Sequence, residues 1–325
     1  MRPGSILSGA LGAFASLALT FSTSAFAQNY PVKPVRMVVP FAAGGGIDIM
    51  ARTLATRLQD NLAQPVLVEN KPGAGGIVGS EIVATARPDG YTLLAVPISH
   101  AANVSLAKLP FDPIRDFAPI IQLASAPNVL LVNPSLPART LPEFIRLAQQ
   151  RPGQLSYASS GNGSSTHLAG ELFKMLAKVE LLHVPYKGGG PALTDLLGGQ
   201  VSMYIGSLPA SLPHLKTQKL RGLAVTSTSR VDTLPDVPTA IEAGVADYEY
   251  LGWYGLLAPG GTPAAIINRL NGESNKILRE PGMMDKLAAD GAQPAGGTPA
   301  QFAEFIKLEI AKWARVVKYA KMAVD

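Results

Sequence analysis

No cysteine occurs in the 325 residues, which excludes disulfides, thiolate metal ligands and a lipid anchor carried on a cysteine. The four histidines, His100, His167, His183 and His214, are isolated, with no H-x-x-x-H or paired-carboxylate spacing, so no metal site is expected. Charged residues make up only 16% and aromatics 6%, and the net charge is a mild +5. Lys and Arg are scattered with few aromatics among them, which argues against a nucleic-acid surface. Past the N-terminal stretch, no apolar run reaches the roughly 20 residues of a membrane-spanning helix.

What is present is a folded composition, 47% hydrophobic and heavily punctuated by 32 glycines and 27 prolines. Such punctuation favours many short strand–loop–helix units, hence an α/β protein. The length exceeds a typical single domain, so two lobes are expected. Residues 1–27 read as a secretory signal: Arg2 supplies charge, residues 6–21 are largely apolar, and Ala25-Phe26-Ala27 fits a small-x-small cleavage site. Ser8, Gly9, Gly12 and Ser16 interrupt that apolar stretch and disfavour a retained anchor. The mature chain is then expected to start at Gln28.

Strand-like and helix-like segments alternate from there. Strands are expected at 35–40, 65–69 and 91–96 with helices at 47–61 and 77–86, the signature of βαβ crossovers and a largely parallel sheet. A second set follows: helix 141–150, strand 155–158, helix 167–177, strand 180–185, a helix begun by Pro191 and stopped by Gly198-Gly199, and strands 201–205 and 220–227. A helix is expected after the turn-rich piece 230–238, and amphipathic helices end the chain, the last over 299–320. Two long extended segments, 120–133 and 248–258, suggest that the chain leaves the first lobe near Ala126 and returns near Leu251. The expected division is a signal at 1–27, one lobe from 28–126 with 251–325, and a second lobe from 127–250. Two hinged α/β lobes can close on a ligand where their strand-to-helix turns converge.

Several of those turns carry chemistry. Phe41-Ala42-Ala43-Gly44-Gly45-Gly46 leads from a strand into a helix with Asp48 in its first turn. Glycines permit a tight turn, and the unpartnered first N–H groups of a helix accept an anion. No Lys-Ser/Thr follows, so this is no nucleotide P-loop, and a turn built for sterics alone is the competing reading. The run Gly73 to Gly79 has the wrong spacing and place for a dinucleotide fingerprint and reads as a helix-entry turn. Residues 159–167, SSGNGSSTH, form a second cradle of five hydroxyls and two glycines between a strand and a helix. One serine there is expected to cap the helix. A hydrolase reading would pair a serine with His167, but no G-x-S-x-G elbow is present. His100 lies after a strand at the same edge, and Pro185 to Gly190 forms a third glycine turn with Lys187 beside it.

Taken in order, YPVKPVRMVVPFAAGGGIDIMAR, VENKPGAGGIVGSEIVATARPDGYTLL, FDPIRDFAPI, SSGNGSSTHLAGELF, HVPYKGGGPALTDLLGGQV and LPDVPTAIEAG resemble the periplasmic solute-binding proteins of tripartite tricarboxylate transporters, the Bug family. The resemblance covers nearly the whole mature chain. It implies an α/β, two-lobed, Venus-flytrap (type II-like) periplasmic-binding-protein fold with two crossover strands. It also implies a periplasmic location, no cofactor, no catalysis, and one small organic carboxylate held through amides, hydroxyls and bridging waters.

Residue by residue, the resemblance points to Ala43, Gly44, Gly45, Asp48, Ser164, Thr166 and His167, with Gly206 and Ser207 lining the second lobe. Phe41, His100, Ser159 and Gly163 complete the expected ligand-binding set. The implied ligand is a di- or tricarboxylate, an acidic amino acid or an aromatic acid, and the implied partners are the membrane permease subunits of the transporter. A ligand-sensing module docking on a receptor kinase would need the same flytrap. The secreted hydrolase is the third reading.

Overall fold

The computed structural model describes residues 30–319, so the expected signal at 1–27 lies outside the described residues. Strand β1 (Val35–Val39) feeds the glycine turn and helix α1 (Gly46–Leu62), then come β2 (Val66–Asn70), α2 (Ile77–Ala84) and β3 (Thr92–Pro97). The valine-rich β1 is buried along almost its whole length, as a strand covered on both faces must be. In α1, Ile47, Met50, Ala51, Leu54, Ala55, Leu58 and Leu62 recur at helical spacing and bury one face. The helix ends where Ala63 turns left-handed at φ 51°.

After a four-residue α3 (Ser99–Ala102), the long strand β4 (Phe117–Val132) runs 16 residues. Next come α4 (Leu141–Gln150), β5 (Ser156–Ser159), α5 (Ser165–Ala177), β6 (Leu182–Pro185), α6 (Gly189–Leu197), β7 (Met203–Ser207), α7 (Leu208–Lys216) and β8 (Arg221–Val225). Strand β9 (Leu251–Pro259), α8 (Ala264–Leu278), α9 (Pro281–Ala289), β10 (Gln293–Gly296) and α10 (Pro299–Tyr319) complete the order.

The sheet order is β2-β1-β3-β9-β4-β7-β5-β6, with β10 and β8 also paired to β4. The sheet is mixed, whereas the alternation of elements predicts a largely parallel one. Pairs β1–β2, β1–β3, β5–β6 and β5–β7 are parallel, but every pair involving β4 or β9 is antiparallel. The cause is the route of the chain. The first part of β4 pairs with β9, down to Pro127 opposite Leu251, and the remainder, Asn128 to Val132, pairs with β7 and β8. One strand thus belongs to both sections of the sheet.

Helix α7 and strand β10 escape the sequence pattern: Pro209 and Pro213 make residues 208–216 look like a loop, yet Pro209 occupies the first turn, where its missing N–H costs nothing. Conversely, residues 239–247 form turns in place of the expected helix, with Gly244 and Asp247 at positive φ.

A buried knot fastens the two crossings together. Asn128 N–H donates to Thr226 Oγ1 at 2.8 Å, and Thr226 Oγ1 donates to the Tyr250 carbonyl at 2.6 Å. Thr226 N–H donates to the Asn128 carbonyl and Tyr250 N–H to the Thr226 carbonyl, both at 2.9 Å. The Asn128 side chain donates to the Ile205 carbonyl at 3.1 Å.

Thr226→Val keeps the shape but strands a buried N–H and a buried carbonyl. It is expected to lower the unfolding free energy by about 3 kcal/mol in urea denaturation, with Thr226→Ser losing much less.

Candidate ligand site

Four helices begin around one cavity. Gly46 and Ile47 open α1, Ser165 and Thr166 open α5, Gly189 opens α6, and Ser207 caps α7. The caps Gly45, Gly188 and Ser207 make no side-chain hydrogen bond to their helices, so the first amides of α1, α6 and α7 lack that partner. Each start also carries the positive end of a helix dipole.

The rest of the lining is neutral: Phe41, Gly45, Pro97, Ile98, Asn128, Ser160, Tyr204, Tyr250, Gly252, Trp253 and Tyr254. No acidic or basic side chain is among the described residues that line it. The cavity is partly open to solvent and offers about 490 Å³ free of protein atoms, a size that suits a small molecule.

The walls approach closely because glycine meets glycine. A Cβ on Gly46 would fall 2.2 Å from Tyr254 Oη and 2.5 Å from Ser207 Oγ, and one on Gly190 would fall 2.1 Å from the Ala43 carbonyl oxygen. Ala42 N–H donates across this contact to the Lys187 carbonyl at 2.9 Å. On the far side Ser160 N–H donates to Thr166 Oγ1 at 2.7 Å, Thr166 Oγ1 donates to Ser160 Oγ at 3.1 Å, and Ser160 Oγ meets Tyr204 Oη at 3.3 Å.

Of the residues singled out in the sequence, Phe41, Gly45, Thr166 and Ser207 line the cavity. Ala43 and Gly44 lie in the contact with Gly190. Asp48 is buried within its own loop, where its carboxylate accepts from Gly44 N–H at 3.0 Å, Arg52 Nε at 3.1 Å and Asn70 Nδ2 at 2.8 Å. Burial pushes that carboxyl up, but the Arg52, Gly44 and Asn70 donors outweigh it and hold the pKa below the usual carboxylate value. Asp48 therefore braces the glycine turn from behind. Gly206 packs against the Tyr204 ring, where a Cβ would fall 2.5 Å from the ring edge.

Ser159, Gly163, Ser164 and His167 sit behind the start of α5. Ser164 Oγ accepts from His167 N–H at 3.3 Å as the helix cap, and His167 Nδ1 accepts from Gly163 N–H at 3.2 Å. The His167 ring is thus turned away from Ser164, and the serine–imidazole pairing of the hydrolase reading is not formed. His167 stacks on His183 at 4.2 Å, and His183 stacks on Tyr157 at 4.8 Å and meets Ser159 Oγ at 2.6 Å. His100 lies in a separate small recess, its Nε2 3.1 Å from the Pro113 carbonyl and its ring edge-on to Phe117.

The aromatic walls were not singled out, because Tyr204, Tyr250, Trp253 and Tyr254 read in sequence as ordinary strand residues. One signal was available: the run Tyr250 to Tyr254 packs three aromatics at the start of a crossing strand. Trp253 is fixed from outside by Glu309 of α10, which accepts from Trp253 Nε1 at 2.9 Å and from Trp313 Nε1 at 3.2 Å.

Residues 50–322 match the Tripartite tricarboxylate transporter family receptor family. The chain belongs to that family. It is 41% identical over 295 residues to Protein BugT of Bordetella pertussis, covering 90% of each chain. Among solved structures it superposes with a TM-score of 0.88 on R. palustris Rpa4515 with adipate, at 40% identity, covering 90% of this chain and 99% of that one. MatC (Rpa3494) from Rhodopseudomonas palustris with bound malate gives a TM-score of 0.85 at 35% identity, covering 89% and 100%. The receptor is thus an α/β, two-lobed periplasmic solute-binding protein of the Bug type, and the relatives place its fold among binding proteins. Among the described residues no group of three or more potential metal ligands occurs, and no helix is long and apolar enough to cross a membrane.

The histidine stack sets a pH response. Burial, with the neighbouring His167 adding to it, lowers His183 from 6.5 to about 4; burial also lowers His167, and it takes His100 to about 4. The unfolded chain, with ordinary histidines, binds protons first as pH falls below about 6.5, so stability present above that value is lost toward pH 4. Melting temperature is expected to fall across this window, and His183→Gln is expected to make the fall shallower.

Proposed function

We propose that this receptor captures a small organic carboxylate in the cavity where the four helix starts converge and delivers it to the permease subunits of a tripartite tricarboxylate transporter. The lobes are residues 28–126 with 251–325 and residues 127–250, hinged at the two crossings that Thr226 ties together. The observation that carries the reading is the convergence of uncapped amides on a cavity without a charged side chain. An anion is the ligand that such amides favour, and neutral walls leave its charge to the amides and hydroxyls alone. That relatives at 40% and 35% identity were solved with adipate and malate supports the same ligand class.

Closing the lobes removes water from around the anion and strengthens each hydrogen bond to it. Phe41, Gly45, Thr166 and Ser207 contact the ligand. Ala43, Gly44, Asp48, Ser164 and His167 hold the two cradles in shape. Delivery follows when the closed form docks on the permease and opens. Mass spectrometry of the molecule that co-purifies with the native protein, followed by titration calorimetry over a carboxylate panel, is expected to return an acid. Binding of none of them would remove the reading.

Closure has its own test. Gly190 is the second residue of α6 and precedes Pro191, whose ring crowds a Cβ on the residue before it, so Gly190→Ala gains nothing from helix propensity. Its methyl group would fall 2.1 Å from the Ala43 carbonyl oxygen, across the contact that brings the two glycine turns together. The variant is expected to keep the wild-type far-UV circular dichroism, to bind carboxylates at least tenfold more weakly, and to keep a larger radius of gyration in small-angle scattering when ligand is added.

A further inference from the structure

Among the buried polar side-chain atoms of the described cavity lining, Tyr250 Oη alone has no hydrogen-bond partner. The residue is 2% exposed. Ser165 flanks the phenol without completing a hydrogen bond, and burial holds its pKa well above the usual tyrosine value, so it stays a donor. Of the other two phenols of the lining, Tyr204 Oη meets Ser160 Oγ at 3.3 Å, and Tyr254 lies beside Ser207 as Tyr250 lies beside Ser165.

The Tyr250 ring is not free to leave. Its backbone is bonded on both sides to Thr226, and its ring packs edge-on against Trp313 at 5.8 Å. A buried hydroxyl without a partner is a standing cost to the fold, and native proteins satisfy such groups unless something else supplies the acceptor. Here the residue lines the cavity proposed above to take the ligand.

We propose that Tyr250 is a specificity-determining residue: its phenol donates to a second acceptor on the ligand, remote from the carboxylate. This rests on the carboxylate reading of the same cavity and sharpens it. The substrate class becomes a carboxylate that carries a hydroxyl, a carbonyl or a second carboxylate across an apolar stretch, and plain monoacids are disfavoured. The apolar stretch lies along Phe41, Pro97, Ile98 and Trp253. The second acceptor needs no cation, since a neutral donor serves a hydroxyl, a carbonyl or a carboxylate alike. A site built to pair such a group discriminates strongly against analogues that lack it, because the donor is then left buried and unpaired.

The test uses three matched pairs, adipate with hexanoate, malate with butanoate, and 4-hydroxybenzoate with benzoate, titrated calorimetrically into wild type and Tyr250→Phe. Wild type is expected to prefer the acceptor-bearing member of at least one pair by tenfold or more. The variant is expected to lose that preference by binding this member roughly 10- to 100-fold more weakly, with the monoacid unchanged and the melting temperature equal or higher. A lower melting temperature with both members weakened alike would mean that the hydroxyl is structural and would overturn the proposal. So would an absent or reversed preference in wild type, or one that survives in the variant. If wild type binds none of the six acids, carboxylate capture itself fails and Tyr250 falls with it. If the acids bind and the hydroxyl makes no difference, only the role of Tyr250 is lost.

Discussion

Everything at the site depends on how closely two backbones can approach. The start of α1 and the start of α6 touch through Gly44, Gly45, Gly189 and Gly190, so their amides reach a common space without side chains between them. An added methyl at Gly46 or Gly190 would overlap Tyr254, Ser207 or the Ala43 carbonyl. Only glycine allows helix N-termini from separate parts of the chain to come this close. The amide donors are useful only because they are near one another: one helix start is a weak anion site, and several gathered around one cavity act together.

The same closeness accounts for the missing charge. A lysine or arginine in so small a space would pin an anion strongly and hinder its release, whereas amides and hydroxyls bind through geometry that opening of the lobes dismantles. The surrounding ionisable groups are kept from interfering. The Asp48 carboxylate, which would repel an anion, is turned inward and satisfied by Arg52, Asn70 and Gly44. The His167–His183 stack is held neutral by burial, and Glu171 behind it is tied to Lys174 and Tyr157. The field at the cavity is thus left to the helix ends.

Much of this could be read from residue order. The glycine run before Asp48, the hydroxyl-rich run before His167 and the KGGG turn all mark strand-to-helix turns, and all three meet at the cavity or at the contact that closes it. Chemistry misplaced some of their members. In SSGNGSSTH the eye goes to Ser164 and His167, yet a helix cap consumes Ser164 and a stack consumes His167, leaving Ser160, Ser165 and Thr166 to line the space. Which of several adjacent hydroxyls faces outward depends on the helical phase, and a start at Ser165 in place of 167 rotates the whole set. Tyr204, Tyr250, Trp253 and Tyr254 were illegible for another reason. A strand aromatic is apolar bulk in sequence, and only tertiary position tells whether its polar tip points into packing or into a cavity.

The crossing strands link recognition to movement. β4 contributes Asn128 to the cavity, the return crossing contributes Tyr250, and Thr226 binds both of these residues through its backbone and hydroxyl. Asn128 and Tyr250 thus put the two crossings themselves into the cavity wall beside the helix starts. In the hinge motion proposed above, this part of the wall moves least and the glycine turns move most. In that motion an acid lodged at the crossings would gain the amide contacts on closure, and those contacts would be the differential interaction that shifts the equilibrium to the closed form. Trp253 extends this wall along β9, and its indole is anchored through Glu309 to the C-terminal helix. The wall at the crossings is thus held from behind by α10, and the glycine turn of α1 by Asp48 with Arg52 and Asn70.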